Sequence, residues 1–197
     1  MWDALLSEAA RLCSEERSSS SAVLSRCAAS IVLARSSLDA YLSEFIEWRR
    51  LSPRIKRARF SDALTRICEE LSLPPPSFAG GLWGELSLLN DIRNELVHHK
   101  AARFEAGQSP EGIIERLVAH GVMGKPSSDR TWETMVASEP TARWACTLVG
   151  RVIIHLESIP NQRHRSLLIV TNRVNRILSM VNTSIGRPSG GDHGPAD

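Results

Sequence analysis

Residues 86–100 read LSLLNDIRNELVHHK, from Leu86 to Lys100. At about 100° of turn per residue, Leu82, Leu86, Leu89, Ile92, Leu96 and Val97 gather on one broad apolar side of a helix. Asn94 and His98 are four apart and share the opposite, polar side with Ser87 and Asp91. Arg93 falls near the middle of the apolar stripe, about 140° from His98 by the same geometry. His99 lies at the edge of the stripe, near Leu88 and Ile92. A helix with so wide an apolar side must be covered by other elements. What those elements are decides the fold.

Working outward, every other patterned stretch is also helical. The central helix starts near Gly81 and runs through Lys100 towards Glu105, and Gly107-Gln108-Ser109-Pro110 ends it. Upstream, Trp2 to Arg17 is a short amphipathic helix, and Ser18 to Ser21 is a turn or a continuation. Ala22 to Arg50 is the longest helical pattern, with Val23, Leu24, Cys27, Ile31, Leu38, Leu42, Phe45 and Ile46 on one face. Ser52 before Pro53 leaves helical geometry. A further helix is expected from about Arg54 to Leu71, and Pro74-Pro75-Pro76 then forbids one. Downstream, Ser109 caps a short helix from Pro110 to Ala119. Gly121 to Pro140 lacks a clear period and is expected to be a long loop. Helices are expected over Thr141–Ile159 and Gln162–Ile185. No strand alternation and no repeat is present. The expectation is an all-α bundle of four principal helices plus short accessory ones. A single domain over residues 1–185 and a disordered tail over residues 186–197 are expected.

Composition excludes several classes. A chain of 197 residues with 42% apolar content can bury one core. The four cysteines, Cys13, Cys27, Cys68 and Cys146, are scattered without metal-ligand spacing, and read as reduced core thiols. The opening residues lack the basic start and long apolar run of a signal peptide. No apolar run reaches about 18 residues, so no membrane span is expected. A cytoplasmic location follows. The net charge of +2 is unevenly spread. Arg49, Arg50, Arg54, Lys56, Arg57 and Arg59 lie together with no acid among them. Between Ser158 and Gly191 there is again no acid, while Arg163, Arg165, Arg173, Arg176 and Arg187 are present. Each segment alone reads as a solvated face; two of one sign point towards a polyanion.

An arginine inside an apolar stripe is costly unless paired. Three arrangements answer that cost. Arg93 bonds a carboxylate on a neighbouring helix, such as Asp39; or the stripe also serves a dimer contact, along which Arg93 reaches a cleft lined by His98; or the helix bends there. His120, His155, His164 and His193 have no partner at suggestive spacing. Trp83 and Trp144 lie in apolar patterns and read as core. Adjacent His98 and His99 cannot aim at one ion from a helix, and no Cys or carboxylate set completes a metal site. No cofactor motif is present.

Arg93-Asn94-Glu95-Leu96-Val97-His98 has the form R-N-x-x-x-H, late in a central helix of a small helical domain. The earlier Ala34-Arg35-Ser36-Ser37-Leu38-Asp39-Ala40-Tyr41-Leu42 has an acid before a small residue and an aromatic. Over roughly Ala22 to Phe104 the chain resembles the HEPN superfamily, many of whose members are ribonucleases. The resemblance implies metal-independent RNA cleavage at a cleft shared by a homodimer, in a protein of the toxin or phage-defence kind. The ribose 2′-hydroxyl attacks phosphorus, leaving a 2′,3′-cyclic phosphate and a 5′-hydroxyl. It maps Arg93, Asn94 and His98 onto the catalytic positions. An imidazole exchanges protons near neutral pH, and a guanidinium forks onto phosphate oxygens. Asn94 would orient His98 or bond the phosphate. Asp39 would position Arg93 or His98, while His99 and Lys100 would help hold RNA. The other reading is a catalytically silent module of the same fold, binding RNA or a partner protein such as an antitoxin or a nucleotidyltransferase.

Overall fold

The computed structural model describes residues 1–15, 20–98, 112–125, 130–159 and 167–182. These residues form α1 (Trp2–Ser14), α2 (Ser20–Arg49), a 3-10 turn (Pro53–Arg57), α3 (Phe60–Glu70) and α4 (Gly81–His98). They continue as α5 (Ile113–Ala119), α6 (Trp132–Val136), α7 (Glu139–Ser158) and α8 (Leu167–Asn182). No strand occurs among them, so the class is all-α, as the periodicity predicts.

The bundle is built on α2, whose 30 residues span about 45 Å. α1 and α7 pack along α2, α8 packs on α1 and α7, and α4 sits against α2 and α7. One apolar core runs through all five, from Leu6 and Ala9 through Ile31, Leu38, Leu89 and Val152 to Val174. α1 is thus a full member of the bundle. α2 shows little one-sided patterning because it is covered on several sides. Small buried residues, Ser30, Ala34 and Ser37, let its neighbours approach. The serine hydroxyls are satisfied locally: Ser30 Oγ donates to Ala9 O at 2.8 Å, and Ser37 Oγ to Ala34 O at 2.7 Å. Gly150 does the same for α7 and α8. A Cβ there would lie 2.8 Å from Leu178 Cδ1 and 2.9 Å from Val174 Cγ1. That close approach accounts for a glycine inside a helix, where it costs about 1 kcal/mol relative to alanine.

Several expected boundaries move. The helix expected over Arg54–Leu71 is two pieces, because Ala58 is extended and α3 begins only at Phe60. The cause is tertiary: Ile55 is buried as the turn's anchor, and Glu70 Oε2 accepts the Ser52 N–H at 2.9 Å. The loop expected over Gly121–Pro140 contains α6 and the start of α7, with Pro140 in the first turn of α7, where a missing N–H costs nothing. Five residues are too few to display a helical period, and burial of Trp132, Met135 and Val136 holds α6 in place. α5 begins at Ile113 behind Gly112, at φ 65°. Ser109, Pro110, Arg163, Arg165, His164, Arg187, His193 and the tail 186–197 lie outside the described residues. All four cysteines are free and buried; burial pushes the Cys27 thiol up to about 11. No helix among the described residues is long and apolar enough to cross a membrane.

Candidate functional site

α4 buries Leu86, Leu88, Leu89 and Ile92. Leu82 and Leu96 are half-buried, and Val97, expected on the apolar side, is 45% exposed. The inward side is therefore rotated towards Leu88 relative to the expected stripe. Asn94 and His98 are exposed, as their spacing predicts. Arg93 is half-buried, and its Nη1 donates to Asn94 Oδ1 at 3.2 Å. The ion pair offered for Arg93 does not form with Asp39. Asp39 Oδ1 instead lies 2.6 Å from Arg35 Nη1. Among the described residues no carboxylate comes within salt-bridge reach of Arg93. His99 and Lys100 lie outside the described residues.

The polar face of α4 forms one wall of a cleft of about 560 Å³. Ser87, Asn90, Asp91 and Asn94 line that wall. Arg59, Phe60 and Ser61, at the start of α3, form the facing wall, and Phe78 adds to it. Helical spacing of four places His98 one turn beyond Asn94 on the same face. The cleft thus leads along α4 towards the motif. The Asp91 carboxylate is held by Arg116 at 2.7 Å from α5.

Arg35 lies behind both walls and is only 4% exposed. Its Nη2 donates to Asn90 Oδ1 at 3.2 Å. Its Cζ stands 3.9 Å from the centroid of the Phe60 ring. Its Nε makes no hydrogen bond among the described residues. Burial pulls the pKa of this guanidinium down; Asp39 opposes that and the charge of Arg93 adds to it. Sequence reasoning passed over Arg35, although an Arg-Asp pair four apart was the available signal.

The basic segment Arg49–Arg59 is not one patch. Arg49 turns inward: its Nη2 donates to Ile159 O at 2.7 Å, and its guanidinium lies 5.1 Å from the rings of both Phe45 and Trp48. Lys56 pairs with Glu47. Arg50, Arg54, Arg57 and Arg59 are exposed, and Arg59 is the one that reaches the cleft. On the second segment, Arg173 pairs with Asp3 at 3.1 Å. His120 and His155 are exposed. Among the described residues no cluster of His, Cys, Asp and Glu has the make-up of a metal site.

Chemically, the face offers an arginine braced by an asparagine, an exposed imidazole one turn on, and an adjoining cleft with aromatic and amide walls. Compared with known proteins, the chain matches no family model, no curated protein and no solved structure.

Proposed function

We propose that the chain is an HEPN-like protein that acts as a metal-independent endoribonuclease of the toxin or phage-defence kind, working as a cytoplasmic homodimer. The observation that carries this reading is the state of Arg93. It is turned onto Asn94 on the polar side of α4, and among the described residues it meets no carboxylate. Its charge is therefore available to a phosphate, and Asn94 steadies it.

In the proposed reaction the 2′-hydroxyl attacks the adjacent phosphorus and the bond to the 5′ oxygen breaks. His98 takes the 2′ proton or gives one to the leaving oxygen. Arg93 stabilises the negative charge that grows on the phosphoryl oxygens. Arg93 and His98 leave the axis of α4 about 140° apart, and in the proposed homodimer the cleft between subunits brings an arginine and a histidine to one phosphate. Exposed Val97, between them on α4, supports a contact along this helix.

The test is cleavage of a mixed RNA pool in EDTA by the parent and by Arg93→Ala/His98→Ala. Cleavage by the parent alone, leaving cyclic-phosphate ends, is the expected result. The single change His98→Ala should abolish cleavage with little loss of stability, because His98 is exposed. Undiminished cleavage by that variant would overturn the assignment. A folded dimer without activity would favour the silent module that binds RNA or a partner protein.

A further inference from the structure

The cleft between α3 and α4 has more structure than a reaction at His98 requires. Its aromatic surface comes from Phe60 and Phe78. Arg35 covers one face of the Phe60 ring at 3.9 Å, fixing that ring in place. Opposite, two asparagines one turn apart are each held through the side-chain oxygen by an arginine. Arg35 Nη2 donates to Asn90 Oδ1 at 3.2 Å, and Arg93 Nη1 donates to Asn94 Oδ1 at 3.2 Å. A side-chain amide has one accepting oxygen and one donating NH2. With both oxygens engaged, both amides have N–H donors left to offer. The Asp91 carboxylate in the same wall is neutralised by Arg116 at 2.7 Å. Exposed Arg59 stands at the facing wall. The volume, about 560 Å³, is that of a small-molecule site.

We propose that this cleft is a nucleotide subsite for one unstacked keto base, guanine or uracil. The base lies against Phe60, its acceptor edge meets the amides of Asn90 and Asn94, and its phosphate meets Arg59. The inference rests on the RNA reading above and gives it a base preference. Stacking on an aromatic ring tolerates any base and contributes about 1–3 kcal/mol, so selectivity must come from the amides. Guanine presents O6 and N7 acceptors to such donors, whereas adenine sets its N6 amine against them. Arg59 adds affinity without selectivity, because a phosphate contact carries no sequence information.

The experiment uses the full chain carrying His98→Ala, so that RNA stays intact. Labelled oligo(U) and oligo(A) are titrated by fluorescence anisotropy, with GMP, UMP and AMP as competitors. Oligo(U) should bind at least tenfold more tightly than oligo(A). Asn90→Ala should erase that preference, and Phe60→Leu should weaken binding about tenfold. Arg59→Ala should weaken both oligomers alike and lower the salt slope by about one. Ser61→Trp is exposed and should block the cleft even if Phe60→Leu proves poorly folded. Displacement by GMP and UMP would show that free nucleotides enter; displacement by oligomers alone would show a strand-bound base. Equal binding of oligo(U) and oligo(A), or parent-like binding by folded Asn90→Ala and Ser61→Trp, overturns the proposal. If cleavage is confirmed but these variants bind normally, the nuclease stands and the subsite falls. If the variants lose binding while the parent does not cleave, the subsite stands and the nuclease falls.

Discussion

Changing Asp39 to asparagine tests how the cleft's hidden cation is kept. Arg35 is 4% exposed, and the side chain of its ionic partner Asp39 is 58% exposed, at 2.6 Å. At that distance, and at an effective dielectric constant of about 20, the gross attraction is roughly 6 kcal/mol. Desolvating the guanidinium removes several kcal/mol of that, and water at the Asp39 end screens more. Exposed pairs contribute about 0–1 kcal/mol, whereas breaking a fully buried pair costs about 3–5 kcal/mol. A pair with one end buried and one end wet belongs between, at about 1–3 kcal/mol. For a chain of this size that lowers Tm by roughly 3–10 °C. The assay is thermal and urea unfolding of Asp39→Asn, Arg35→Met and the double variant. With the cation gone, the double variant should lose less than the two single changes together, with a coupling of about 1–2 kcal/mol. A Tm for Asp39→Asn within 1 °C of the parent (about the scatter of the measurement), or strict additivity in the cycle, would refute this account of Arg35.

Two further expectations concern the core. Tyr41→Phe removes one hydroxyl, which donates to Glu157 Oε1 at 3.0 Å in a buried contact between α2 and α7. The ring and its edge-on contact with Trp2 are retained, so urea unfolding should report a loss of about 1–3 kcal/mol, the cost of leaving a buried hydrogen-bonding group without its partner; no change would mean that Glu157 is held by other groups. The native chain should react with a thiol reagent at none of its four buried cysteines within minutes at pH 8, and at all four in guanidinium. Cys27 should be unreactive in particular, because a pKa raised to about 11 means that thiolate appears only as pH rises towards that value, and pH 8 lies below it. Rapid labelling of the native chain would show that the core opens.

Short-range rules account for everything legible in the chain alone. Helical period placed α2, α4, α7 and α8 within a few residues wherever they are described, and glycine and proline placed most of their ends. The i, i+4 relation put Asn94 and His98 together on the polar face of α4, where they are. It did not determine which part of a wide apolar stripe would be covered. α4 packs against α2 and α7 with Leu86, Leu88 and Leu89 buried and Val97 left outside, so Arg93 sits at the edge of the core and meets no carboxylate among the described residues. α6 exists because its neighbours bury Trp132, a gain that five residues cannot announce in advance. Arg49 belongs to a basic run in the sequence, yet a carbonyl 110 residues away turns it inward. The cleft is tertiary for the same reason. Its two walls come from α3 and α4, and Arg35 on α2 braces both. Local pattern fixes which side chains share a helix face. Only packing between helices decides which of those faces meet, and so which charges are neutralised and which remain for a ligand.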